Sequence, residues 1–189
     1  DERFKKALLI LNEAYDIFID GSVHTGDIND DLDDQTIREI IRDDYLRDTS
    51  VTILLVGSET KNRKHIDWEI YSSMYNGRKN KKSGILVVNL PYVNTGNYVA
   101  PHDDEKEIIH PEISNWVTVS ERSEYNGMFP FMPDRIVDNL LAGGVKISVV
   151  SWDKVISNPE ALSFLIDAAF KDKDSCTYDL SRPMRRYNS

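Results

Sequence analysis

Val51-Thr52-Ile53-Leu54-Leu55-Val56-Gly57-Ser58-Glu59-Thr60 is the stretch on which the reading of the fold turns. Val51–Val56 carries no charge, is apolar at every position but Thr52, and is too short for a typical helix. It also lacks the alternation of a strand with one wet face. A run of this kind suits a strand covered on both faces of a parallel sheet. Gly57 and Ser58 then break the run into a turn-rich link, and a helix is expected from about His65 to Asn76, stopped by Gly77. Ile85–Leu90, closed by Pro91, reads as a second buried strand, and Lys146–Val150 as another. Short apolar runs alternating with helical periods give an α/β class with a mainly parallel sheet.

Working outward, Phe4, Ala7, Leu8, Leu11 and Ala14 mark a helix at the front of the chain, and Tyr15–Asp20 is a strand candidate. An acidic cluster, Asp27 to Asp34, follows. Within it Asp33 or Asp34 is placed to cap a helix carrying Ile37, Ile40 and Ile41. From Tyr92 to Pro133 the periodicity dissolves around four prolines, the signature of an irregular insertion. Pro133 opens a helix ended by Gly143 and Gly144, and Asn158-Pro159-Glu160 starts the last one. The expected organisation is one domain over residues 1–171, with an insertion at about 92–133 and a polar tail at 172–189. The chain begins on a helix, whereas a parallel crossover unit begins on a strand. Either the sheet starts at Tyr15 or a strand precedes Asp1.

The 189 residues, 40% hydrophobic and 29% charged, fit one globular domain with a single core. No apolar run is long enough for a membrane-spanning helix. A net charge of −9 argues against general binding to nucleic acid or an anionic membrane. A single cysteine, Cys176, rules out an intrachain disulfide framework and favours a reducing compartment, so the cytoplasm is the expected location.

Most familiar chemical signatures fail. A calcium loop starting at Asp27 would need glycine and glutamate where Leu32 and Arg38 stand. There is no dinucleotide-binding glycine loop, no Walker A motif and no nucleophile elbow. His102, Asp103, Asp104, Glu105 and His110 match no metal spacing and read as a solvated loop; no metal is expected. The basic segment Lys61–Lys82, with seven Lys or Arg, reads as a solvated face, with local attraction of a small anion as its functional alternative. The loop Ser58–Asn62 leaves a buried strand at its carboxyl end, where α/β sheets bind ligands. Helical spacing sets Glu69 beside Ile66 and Ser73, next to an aromatic stripe of Trp68, Tyr71 and Tyr75. On residues alone, that carboxylate is a dipole-matched helix acid and the stripe is core.

A resemblance changes the weighting. Phe18-Ile19-Asp20-Gly21-Ser22-Val23, Thr25-Gly26-Asp27-Ile28 and Asp30-Asp31-Leu32-Asp33-Asp34-Gln35-Thr36-Ile37-Arg38 resemble TIR-like proteins related to the Thoeris B component. So do Val51–Thr60, Lys64-His65-Ile66-Asp67-Trp68-Glu69-Ile70 and Gly84–Pro91. The likeness covers residues 1 to 91 well and the remainder loosely. It implies a flavodoxin-like three-layer fold with strand order 2-1-3-4-5, the first strand falling before Asp1. It also implies a part in bacterial signalling or antiphage defence, with catalytic members cleaving the nicotinamide–ribose bond of NAD. Their essential glutamate, four residues after a tryptophan, corresponds to Glu69, with His65 in the tryptophan's place and Trp68 three residues later. The implied substrate-binding residues are Ser58, Thr60, His65, Trp68 and, from the acidic loop, Asp27. NAD is then substrate, and no cofactor is required. The expected partners are NAD or a related nucleotide, further copies of the chain and a downstream effector protein. The rival implication is a TIR-like interaction module that signals by self-association without turnover.

Overall fold

A computed structural model describes residues 2–20, 28–29, 31–77 and 80–188. Three strands, β1 (Val51–Val56), β2 (Gly84–Asn89) and β3 (Ser148–Ser151), form a parallel sheet in the order β1-β2-β3. The register pairs Val51 with Gly84 and Leu86 with Ser148. Every residue of β2 is buried, as a central parallel strand demands. The α/β class and the parallel sheet are as the sequence implies, and the three strands follow the 3-4-5 part of the flavodoxin-like order.

Eight helices surround the sheet among the described residues: α1 (Glu2–Tyr15), α2 (Asp34–Ile40), α3 (Lys64–Met74), α4 (Asp103–Ile109), α5 (Arg122–Met128), α6 (Asp134–Ala142), α7 (Trp152–Ile156) and α8 (Pro159–Asp172). α2 runs on into one π-helical turn, Ile41–Tyr45. α3 and α8 both pack on β2. α8 lies so close to the start of β2 that a Cβ at Gly84 would stand 2.0 Å from the Ala169 carbonyl oxygen, so only glycine fits. The expected caps form. Asp33 Oδ1 accepts the Gln35 and Thr36 amides at 3.0 and 3.1 Å, Asn158 Oδ1 accepts that of Ala161 at 3.1 Å, and Gly143 turns left-handed with φ +70° after α6.

Two sequence expectations are corrected. Tyr15–Asp20 is not a strand. α1 extends through Tyr15, Asp16 takes φ +51°, and the Asn12 side chain satisfies the next residues, accepting from Ile17 and Phe18 at 2.9 and 2.7 Å and donating to the Phe18 carbonyl at 2.6 Å. With Asn12 serving those backbone groups, the β-rich composition of YDIFID finds no ladder. Among the described residues, no strand pairs with the far edge of β1. Nor is His102–His110 a solvated loop: it holds α4, and Glu105 and His110 are fully buried.

Elsewhere between Tyr92 and Pro133 the chain forms the seven-residue helices α4 and α5 and no long regular ones. Val99 exchanges two backbone hydrogen bonds with Val149 of β3, at 3.1 and 2.9 Å, so the backbone of this region pairs with the sheet at one antiparallel bridge. Residues after α8 return across α6 and α3. Cys176 and Met184 are buried on this path, and the Asn139 amide group exchanges hydrogen bonds with the Asp179 backbone at 2.7 and 3.1 Å. Met184 completes a second small core with Ile28, Ile37, Ile41, Leu46 and Trp68, between α2 and α3.

Candidate active site

The loop after β1 is built by its own polar groups. Thr60 Oγ1 accepts the Gly57 amide at 2.8 Å and lies 3.4 Å from the Leu55 carbonyl, while Thr60 N–H donates to the Gly57 carbonyl at 3.2 Å. This closes a tight turn in which Thr60 is buried and Ser58 is exposed. A short 3-10 turn, Thr60–Asn62, leads into α3, whose N-cap residue Arg63 offers no side-chain acceptor. The first turn of α3 is capped from a distance instead: Lys64 N–H donates to Asn188 Oδ1 at 2.9 Å.

α3 then sets out its side chains on distinct surfaces. Trp68, 1% exposed, points into the second core, and its indole N–H donates to the Arg185 carbonyl at 2.7 Å. His65 is half-buried and stands edge-on to Trp68, with ring centroids 4.9 Å apart. Ser73 turns toward the sheet, where Thr52 Oγ1 donates to it at 2.9 Å. Glu69 is half-buried, in the second turn of α3. Asp27 lies outside the described residues. The structure therefore brings His65 and Trp68 into contact, places Thr60 inside the loop turn and Ser58 on its outside, and carries Glu69 on the adjoining helix. Stacking of a base on Trp68 would require the segment around Arg185 to move.

The feature that sequence reasoning missed centres on Asp67, two residues before Glu69 on α3. Asp67 is buried and receives both prongs of the Arg135 guanidinium, at 2.8 and 3.0 Å, together with the Arg185 amide at 2.9 Å. Arg135, with no exposed surface, also donates to the Arg182 and Pro183 carbonyls at 2.8 and 3.2 Å and packs over the Tyr71 ring. The available signal was the clustering of Arg182, Arg185 and Arg186 at one end of an acidic chain. In the structure they pair with Asp138, Asp134 and Asp34.

A separate apolar groove of about 710 Å³ opens at the carboxyl ends of β2 and β3, with Phe4, Tyr92 and Trp152 on its walls and Arg3 at its side. Phe4 meets Trp152 edge-on at 5.0 Å. Among the described residues, no group of three or more His, Cys, Asp or Glu is placed to hold a metal ion, and no helix is long and apolar enough to cross a membrane.

Residues 2–95 match a family model described as Thoeris protein ThsB, TIR-like domain. Over those residues the chain belongs to the ThsB TIR-like family. The match takes in the loop after β1, all of α3 with Glu69, and β2, and it ends just inside the irregular region. No curated protein and no solved structure matches the chain. The parallel sheet and its flanking helices agree with a flavodoxin-like TIR fold, and the family makes this a TIR-like protein related to antiphage-defence signalling.

Proposed function

We propose that this chain consumes NAD to make a defence signal: the nicotinamide–ribose bond breaks, nicotinamide leaves, and water or a nucleophilic nitrogen of the same molecule bonds to the ribose carbon to give an ADP-ribose-type product, with Glu69 as the carboxylate beside the reacting sugar. The observation that carries the reading is that the ThsB TIR-like match runs through Glu69, and that this residue stays half-buried on the helix entered from the carboxyl edge of β1. Loss of nicotinamide leaves positive charge on the ribose ring as the bond lengthens. A fixed carboxylate stabilises that charge and orients the ribose hydroxyls, and neither a metal nor a nucleophilic thiol is needed. Ser58, exposed on the loop, and His65, half-buried on the first turn of α3, are the nearby groups suited to contact the substrate. Self-association and hand-over to an effector protein belong to the same reading, as does a cytoplasmic site of action.

A second reading, a TIR-like module that signals by contact without turnover, draws support from the engagement of Thr60 and Trp68. Their polar groups are already spent within the protein. The experiment that separates the two is incubation of the chain with NAD, followed by measurement of free nicotinamide. Turnover is expected, and Glu69→Gln should lower it by about a hundredfold or more, because an amide cannot offset the ring's charge. Glu69→Gln should keep the helix, since the two residues have nearly equal helix propensity. Full turnover in Glu69→Gln would remove this residue from the chemistry, and no turnover in the parent chain would favour the contact module.

A further inference from the structure

Three separate interactions fasten the end of the chain to the first two turns of α3. Asn188 Oδ1 takes the Lys64 amide, supplying the cap that Arg63 lacks. Arg185 grips two successive residues with its backbone: its N–H donates to Asp67 Oδ2 at 2.9 Å, and its carbonyl accepts the Trp68 indole N–H at 2.7 Å. Arg135 locks the same carboxylate to the Arg182 and Pro183 carbonyls. Met184 fills the second core between these polar contacts. The α3 residues so held, Lys64, Asp67 and Trp68, all lie within the five positions before Glu69. Burial of Met184 alone would serve stability, and the apolar face of α3 sets its rotation only within the tolerance of side-chain packing, which directional bonds narrow. The bonds to Asp67 and Trp68 are of that directional kind.

We propose that residues 182–188, tied through Arg135, form a positioning clamp that fixes the rotation of α3 and thereby the aim of the Glu69 carboxylate. The clamp rests on the assignment of Glu69 given above, and Arg135 acts through Asp67 as a positioning residue without touching substrate. Misplacing a reacting group by a fraction of an ångström costs rate far more than binding, so the signature is a loss of kcat at nearly constant KM.

Two full-length variants test it. Asn188→Ala removes the distant cap, and Arg135→Lys keeps the charge but not the two-pronged bond. Hydrogen exchange resolved by residue should show amides 64–69 exchanging roughly fivefold faster in Asn188→Ala, with α8 unchanged. Nicotinamide release should fall roughly tenfold in kcat, with KM within about twofold. Unchanged exchange in both variants overturns the clamp, and faster exchange with unchanged kcat overturns its positioning role. If the parent chain releases no nicotinamide, the NAD reading fails by itself, and exchange alone decides the clamp on α3. Should Arg135→Lys not fold, Asn188→Ala carries both readouts, because Asn188 is exposed and its loss opens no cavity.

Discussion

On α3 the buried Asp67 carboxylate meets a guanidinium and a backbone amide, whereas on α4 Glu105 is buried with one oxygen accepting from Ser148 Oγ at 2.9 Å and the other without a hydrogen-bond partner. His110, just past α4, is buried between Tyr98 and Trp116, with neither ring nitrogen hydrogen-bonded. Charge is thus matched by charge in one region and left to the proton in the other. Burial pushes Glu105 up to about 7, helped by Asp104 and Asp172, while Ser148 opposes the shift. Burial and Lys154 bring His110 down to about 4, with Glu112 opposing. The lesson is that the buried carboxylate of α3 has its counter-charge built in, whereas the docking of α4 favours both groups being neutral.

The contrast can be broken most severely at Arg135. Arg135→Met leaves Asp67 buried without its counter-charge, and urea unfolding should show a loss of about 3–5 kcal/mol. A loss below about 1 kcal/mol would mean that water reaches Asp67 and that the pairing matters little.

A smaller but more telling change is expected from Glu105→Gln. The native state holds the Glu105 proton more tightly than the unfolded chain does. Its contribution is therefore complete below the ordinary glutamate range and is lost as pH rises to about 7. Glu105→Gln should flatten that decline, gaining up to about 3 kcal/mol at pH 8 while matching the parent near pH 4. Unfolding curves measured across that range would show it, and parallel profiles would refute it. His110 has the opposite sign. Its stabilisation is present above the ordinary histidine pKa and disappears as pH falls through about 4. His110→Phe should remove the acid limb and leave the alkaline one. The smallest change is Ser148→Ala, costing about 1 kcal/mol and moving the Glu105 transition to higher pH, since the hydroxyl favours the ionised form.

How far the residues foretold these arrangements follows from the range of the forces involved. β2 was legible because a strand buried on both faces must be apolar throughout. β1 is as apolar in sequence, though only Leu54 and Val56 of its residues are fully buried. α2 and α8 were legible because Asp33 and Asn158 act within three residues of themselves. YDIFID misled because its composition is that of a strand, whereas the deciding contact is one side chain, Asn12, six residues before Phe18. The α4 region misled because its charges looked solvated, and only the packing against β3 and α8 removes Glu105 from water. At the candidate site, the loop was readable because it leaves a strand, and the role given to Glu69 comes from resemblance alone. Arg135 and the grip of Arg185 were not readable, for they join residues 68 and 118 positions apart.

Those separations also set an order of events in folding. The bonds from Asn188 to Lys64 and from Trp68 to Arg185 span 124 and 117 residues, among the longest closures in the molecule. Closing so large a loop from an open chain carries a high entropic cost, but the intervening sheet brings the ends together once β2, β3 and α8 are assembled. The first turn of α3 is then the last part of its helix to become permanent. Slowed unfolding, rather than faster folding, is how its contacts enter the kinetics. A newly made chain would hold its three strands before the contacts that fasten Lys64, Asp67 and Trp68 are complete, so the start of α3 is finished by the residues made last.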